Sequence, residues 1–284
     1  MPYPLARLSY GLRCRLSELA DPGERYYLQI AAGSLFICPP KLQVVEEGID
    51  HLYFRCENST VSVYSDMGST IPFIASGDSL RILKGYNCLN GFDIRGLKSD
   101  IFGHFLRNAV SLKLKNCIIT KQFWETLKTL FPKVTSFEIY NNDNTSHISF
   151  TDMLTAFPNV ENLEITCHIS KNWIEEILQC GKQTLRYLTF TFNSLELCDE
   201  FDCDRFAQRP DFNFFILDRG YPGKFGELHL AGLTQHLDLK LKRGCLPADK
   251  IGPYISILYE GDCHAWCLPL FKRYPVKNSL SVSM

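Results

Sequence analysis

Phe131-Pro-Lys-Val-Thr-Ser-Phe-Glu-Ile139 and Phe157-Pro-Asn-Val-Glu-Asn-Leu-Glu-Ile165 share one pattern, F-P-x-V-x-x-hydrophobic-E-I, and stand 26 residues apart. The pattern continues in Leu185-Arg-Tyr-Leu-Thr-Phe190, and a variant precedes it in Ala109-Val-Ser-Leu-Lys-Leu114. Its anchor positions are Leu112, Phe137, Leu163 and Leu188, at intervals of 25, 26 and 25 residues. An earlier copy is read at Ile49-Asp-His-Leu-Tyr-Phe54, and a poorer one at Leu80-Arg-Ile-Leu83. Within each copy apolar and polar residues alternate, which is the period of a strand with one buried face.

Helical patterns fill the intervals. Thr120 to Leu130 places Phe123, Trp124, Leu127 and Leu130 on one face, with Thr120 as N-cap. Ser149 to Phe157 does the same with Phe150, Met153, Leu154 and Phe157. Ser170 to Cys180 does so with Trp173, Ile174, Ile177 and Leu178, and Gly181 marks its end. A strand and a helix this short cannot bury their apolar faces alone, whereas stacked neighbours share a core. A doubly covered parallel sheet would carry near-continuous apolar strands instead. Ser136, Glu138, Asn162 and Glu164 interrupt these, so one sheet face is expected to meet water.

The period and the x-L-x-L strands resemble a leucine-rich repeat of the helix-containing, degenerate kind, over roughly residues 49 to 192. Weaker continuation is read through Asn213–Leu217 and Glu227–Leu230. The asparagine ladder of such repeats is mostly missing, with Cys117 and Cys167 near its place. The expected fold is α/β: a leucine-rich-repeat-like solenoid of strand–loop–helix units behind a short helical N-terminal segment. Its organisation is read as 1–40, 41–271 and a Ser-rich tail over 272–284.

In the N-terminal segment Leu5, Leu8, Leu12, Leu16 and Leu19 recur at helical spacing. Asp21-Pro-Gly23 then makes a turn, a second helix starts at Glu24, and Pro39-Pro40 ends the region. The string from Pro4 to Leu19, followed by Pro22, Glu24, Leu28 and Ala31, resembles a divergent F-box. It is similar to the expanded nematode families of F-box proteins with repeat-containing C-terminal regions. That resemblance implies that the five leucines face a Skp1-type adaptor. It also implies that the repeats capture a target protein for a cullin-RING (SCF-type) ubiquitin ligase. Ser9 stands where the box usually has proline, and Arg15 where it has an apolar residue. Those departures favour the alternatives, a helical cap on the repeat stack and a repeat scaffold with no ligase connection.

Target contacts are expected from the strand positions that alternate out of the core. These are Ser111, Lys113 and Lys115; Ser136, Glu138 and Tyr140; Asn162, Glu164 and Thr166; and Tyr187, Thr189 and Thr191. The row Lys113–Glu138–Glu164–Thr189 changes sign, which suits a patterned protein surface rather than a polyanion. Tyr140 and Tyr187 are the expected anchors.

Bulk properties agree with this class. Of 284 residues, 45% are hydrophobic and 21% charged, and 30 Lys and Arg against 31 Asp and Glu leave a net charge of -1. No single-signed field steers the chain to nucleic acid or a membrane. The N-terminus lacks a secretory core, no run of about 18 apolar residues occurs, and 12 cysteines are expected as reduced thiols. Cytoplasm or nucleus is the expected location, with the sequons at Asn58 and Asn144 unused.

Catalytic signatures are missing: there is no G-x-S-x-G, H-E-x-x-H or G-x-G-x-x-G after a strand. Gly220-Tyr-Pro-Gly-Lys-Phe-Gly226 puts Phe225 where a phosphate loop needs Ser or Thr. Cys263-His-Ala-Trp-Cys267 lacks the second ligand pair of a zinc site unless Cys198 and Cys203 supply it. Asp199-Glu-Phe-Asp-Cys-Asp204 lacks the calcium-loop glycine. The expectation is no enzyme, metal or cofactor. A hydrolase or transferase would need a cleft gathering groups such as Asp262, Cys263 and His264.

Overall fold

A computed structural model describes residues 5–33, 42–72, 79–140, 148–166, 172–180, 184–192, 213–218, 242–243, 254–259 and 262–267. By its contacts the chain divides into two compact units, Met1–Thr191 and Phe192–Met284. The architecture is mixed α/β, built on parallel strands and short helices.

The first unit begins with a 3-10 turn at Leu5–Arg7 and two helices, α1 (Tyr10–Leu19) and α2 (Pro22–Ala32). Strands β1 (Val45–Glu57), β2 (Thr60–Tyr64) and β3 (Leu80–Asn90) follow. Next come α3 (Ile94–Leu97), a 3-10 segment at Asp100–His104, β4 (Phe105–Arg107) and β5 (Ser111–Lys115). The regular part is α4 (Lys121–Leu130), β6 (Ser136–Tyr140), α5 (Phe150–Ala156), β7 (Asn162–Thr166), α6 (Trp173–Gln179) and β8 (Tyr187–Phe192). Strand order is β2-β1-β3-β5-β6-β7-β8, with β4 beside β3, and every pair but β1–β2 is parallel. Chain order and spatial order coincide from β5 to β8, as a run of strand–helix modules requires.

The second unit holds β9 (Asn213–Asp218), β10 (Lys242–Arg243), β11 (Tyr254–Tyr259) and β12 (Asp262–Cys267), in the order β9-β11-β12-β10. Its β11–β12 pair is an antiparallel hairpin, unlike the parallel modules before it. Glu227–Leu230, Gly220–Gly226, Asp199–Asp204, Cys198, Cys203 and the 272–284 tail lie outside the described residues.

The F-P-x-V motif is a helix-to-strand corner. Phe131 and Phe157 follow α4 and α5 and donate their N–H groups to Leu127 O and Met153 O, each at 2.8 Å. Proline comes next and ends the helix, while both phenyl rings are fully buried. Val134, Val160 and Leu185, at the V position, are buried as well. One carbonyl then fixes the entry to each following strand. Val110 O accepts the N–H groups of Thr135 and Ser136 at 3.0 and 3.1 Å. Thr135 O accepts those of Glu161 and Asn162 at 2.7 and 3.2 Å, and Glu161 O those of Arg186 and Tyr187 at 2.8 and 3.0 Å. The resulting ladder sets Leu112, Phe137, Leu163 and Leu188 side by side.

Helix starts follow their caps. Thr120 accepts from Phe123 N at 3.2 Å, and Ser149 from Asp152 N at 3.2 Å. α6 is shorter than the sequence pattern: it begins at Trp173 after Asn172, which makes no side-chain cap. Between helices and sheet lies an aromatic core. Trp124 stands edge-on to Phe137 and Phe157 at 5.6 and 6.1 Å, and those two phenyl rings meet at 4.9 Å. Phe102 continues it, touching Phe54, Phe92 and Phe131 at 5.4, 6.1 and 5.9 Å. Stacked and edge-to-face pairs of these kinds add about 0.5–1.5 kcal/mol each beyond the area they bury.

One earlier copy of the repeat sits where the sequence pattern did not put it. The segment in register with Ser111–Lys115 is Tyr86–Asn90, not Leu80–Leu83. Arg81–Leu83 pairs instead with β4. The displaced copy escapes a hydrophobic pattern because its core position is Asn87, fully buried opposite Leu112. Its Oδ1 accepts from Leu52 N at 3.2 Å, and its Nδ2 donates to Lys84 O at 2.9 Å. These bonds satisfy backbone groups where the β1–β3 register shifts, between Ile49 and His51, and where Gly85 has a positive φ of 54°.

Asn87→Leu restores the apolar repeat pattern yet strips a bond from the buried Leu52 N–H and another from the part-buried Lys84 carbonyl. It is expected to destabilise the chain by about 1–3 kcal/mol, read as a lower urea midpoint at unchanged slope. A gain in stability would show that the amide serves no such purpose.

Candidate functional site

The first surface is the N-terminal helical pair. Ser9, in extended conformation (ψ 153°), separates Leu5–Arg7 from α1. The five leucines therefore do not form one continuous helical stripe. Leu5 and Leu8 are half-buried, whereas Leu12, Leu16 and Leu19 are 58%, 38% and 69% exposed. These three fall at i, i+4 and i+7, one face of α1. Tyr10 on α1, with Tyr27 and Ile30 on α2, are exposed too. Sequence reading passed over them, although Tyr27 and Ile30 share an i, i+3 face. Arg15 is exposed on α1 and pairs with Glu18 at 3.0 Å.

This pair is fastened to the segments that flank the sheet. Asp21 and Glu24 form a reciprocal capping box at the start of α2, with bonds of 2.7 and 3.0 Å. Gly103 comes so close that an added Cβ would meet Asp21 Oδ2 at 2.7 Å. Arg25 donates to Gln43 Oε1 at 3.1 Å and to Ala20 O at 3.0 Å. Gln43 N donates to Gln29 Oε1 at 2.9 Å, which ties the approach to β1 onto α2.

The second surface is the sheet face turned away from the helices. Register brings the expected residues together in rows: Lys113, Glu138, Glu164 and Thr189; and Lys115, Tyr140 and Thr166. All of these are half-buried, and Tyr187 is exposed. β1 and β3 extend the rows with residues the sequence reading missed. Tyr53 and Cys88 precede Lys113, Arg55 and Asn90 precede Lys115, and His51 and Tyr86 precede Ser111. The alternation of Leu52-Tyr-Phe54 and Asn87-Cys-Leu89 held that signal, hidden by Asn87 at a core position.

Glu138 organises the middle of this face. Tyr86 Oη donates to its Oε2 at 2.6 Å, and Lys113 forms an ion pair with its Oε1. Burial, then the hydrogen bond and charge of Glu138, push the Tyr86 phenol well above its usual range. Lys115 lies over the Tyr140 ring, 5.9 Å from its centre, and Arg55 over that of Tyr64 at 5.1 Å. Lys113 and Lys115 thus stand on β5 beside the carboxylates of Glu138 and Glu164 on β6 and β7, while Arg55 on β1 pairs with Glu57.

Cys88 is buried among these strands, and burial pushes its thiol up to about 11. Cys117 closes the turn after β5. Its Sγ donates to Lys115 O at 3.4 Å and Leu89 O at 3.5 Å, and burial pushes it up to about 12. It thus bonds the carbonyls of two neighbouring strands, as a ladder residue would; Cys167 lies outside the described residues.

A shallow groove of about 370 Å³ runs beside the helical pair, lined by Asp21, Lys98, Asp100, Phe102, Arg107 and Leu130 among others. No His or Cys lines it. Among the described residues no group of three or more His, Cys, Asp or Glu is placed to hold a metal. Among them, too, no helix is long and apolar enough to cross a membrane. Cys263-His-Ala-Trp-Cys267 runs along β12. Compared with known proteins, the chain matches no family model, no curated protein and no solved structure.

Raised thiol and phenol values have a definite sign. The protonated forms of Cys88, Cys117 and Tyr86 are favoured by folding. Their contribution is therefore complete below the unfolded values and is lost as pH rises through the folded ones. Stability is expected to fall from about pH 9 towards about pH 12, where Cys88 and Cys117 titrate. Thermal unfolding of the wild type and of Cys117→Ala across that range checks this. The variant loses stability at neutral pH but shows a shallower alkaline decline; identical slopes would refute the assignment.

Proposed function

We propose that this chain is a protein-binding adaptor, the substrate receptor of a cullin-RING (SCF-type) ubiquitin ligase. In this reading the helical pair over residues 5–32 is a divergent F-box that docks a Skp1-type adaptor. The modules from β1 to β8 form a leucine-rich-repeat-like solenoid whose open sheet face takes the target. The chain itself performs no chemistry and uses no cofactor.

The observation that carries the proposal is the exposed apolar stripe of Leu12, Leu16 and Leu19 on a helix pair tied through α2 to Gln43, just before β1. Three leucines on one helical face in water are a docking signature rather than a scatter of single apolar residues. The tyrosine-bearing, sign-changing sheet face supplies a second, separate surface, and such faces suit recognition of a folded partner. The alternative, a repeat scaffold with no ligase connection, is favoured by the Arg15–Glu18 ion pair on α1. It puts a charged pair on the helix where the box has an apolar residue.

The test is co-purification of the full chain with a Skp1-type adaptor, beside Leu12→Asp/Leu16→Asp/Leu19→Asp. These side chains are exposed, so the variant keeps its circular dichroism spectrum. The expected loss of affinity is at least about 100-fold, since each apolar anchor typically contributes about 1–2 kcal/mol. A folded wild-type chain that captures no adaptor sinks the ligase reading and leaves the scaffold.

A further inference from the structure

β2 is the outer strand of its sheet: among the described residues its strand neighbour is β1. A two-residue turn, Asn58-Ser59 with positive φ at both (50° and 64°), joins it to β1. That is the primed turn of tight hairpins. In such a hairpin the flanking pair Glu57–Thr60 exchanges hydrogen bonds, and alternation then assigns the rest. Thr60, Ser62 and Tyr64 direct their N–H and C=O groups to β1, and Val61 and Val63 direct theirs to the open edge.

Outer strands are usually protected by lysine, proline or a bulge. This one, Thr60-Val-Ser-Val-Tyr64, has none of these and no charge. Its centre, Val61-Ser-Val63, also reads alike in both directions about Ser62. We propose that β2 pairs antiparallel with β2 of a second copy of this chain, about a two-fold axis through Ser62. That register sets Val61 opposite Val63 of the other copy, and the four outward groups on each strand meet four complementary ones. Valine then faces valine on the core side of the sheet, and Thr60 faces Tyr64 on the open side. No like charges are set opposite one another. Met67 and Ile71, exposed just after the strand, add apolar surface at each end. Five residues per strand make a small interface, so the dimer depends on concentration. This inference does not depend on the adaptor reading: it concerns the edge of the sheet rather than its open face or the helical pair.

Sedimentation of the full chain over rising concentration tests it. The mass is expected to climb from 32.5 kDa towards twice that value. Val61→Pro removes an outward N–H that β1 does not use and is expected to hold the chain monomeric with an unchanged circular dichroism spectrum. Ser62→Cys supplies an independent readout, because residues facing across the axis come within disulfide reach. Under mild oxidation it is expected to join position 62 of two copies, located by mass spectrometry against the wild-type background. Thr60→Cys, offset by about 14 Å from its own copy, is expected not to join. Should the proline variant lose its fold, the cysteine pair decides alone. A chain monomeric at every concentration overturns the proposal and leaves the edge to a strand of some other protein. So does a dimer that links equally through positions 60 and 62.

Discussion

One backbone carbonyl per module, accepting two N–H groups of the next, holds the regular part of this chain in step. Val110, Thr135 and Glu161 carry those carbonyls, spaced as the sequence repeat is spaced. A doubly used acceptor is demanding, since both donors must arrive within hydrogen-bonding distance of one oxygen. It therefore fixes where each strand begins, and with that which side chains face the core. A one-residue slip would turn Phe137 or Leu163 to water. The far ends of the strands are held comparably. Gly91 N donates to Lys115 O at 2.9 Å, and Asn116 N to Tyr140 O at 2.8 Å. Both donors adopt positive φ, 75° and 50°, a conformation in which glycine and asparagine are the residues at ease.

Much of this was legible from residues alone. F-P-x-V announces a helix that must stop and a phenyl ring that must be buried, and alternation after it announces a strand with one wet face. Thr120 and Ser149 marked helix starts through their capping chemistry. Other features lay beyond that reading for definite reasons. Asn87 sits at a core position because it satisfies backbone groups at a register shift, and nothing local in the sequence foretells a shift. The N-terminal leucines recur at helical spacing, but spacing cannot reveal the helix break at Ser9 that separates Leu5 and Leu8 from the rest. Tyr86 and Arg55 joined the open face only once the strands before β5 were correctly aligned.

The two candidate surfaces differ in how they are built. The helical pair owes its placement to a few polar fastenings, Arg25 with Gln43 and Gln43 with Gln29. The sheet face is rigid through continuous parallel pairing, with the Tyr86–Glu138–Lys113 cluster bridging three strands. A partner of the first meets leucine and tyrosine side chains in water. A partner of the second meets a surface whose central charges are already answered from within the chain.

Register between β5 and β8 gives the open face the order of a grid, strand by strand and row by row. Every second residue of a strand faces the core, and the residues between them face the open side. Thr189 can therefore be exchanged without disturbing that core, whereas exchanging Lys113 also releases Glu138 from its ion pair and so alters two cells of what the face offers. Phe137 and Leu163, a residue away, pass through such exchanges untouched. The same frame can thus be written with different messages, and reading it requires only knowing which column each residue occupies.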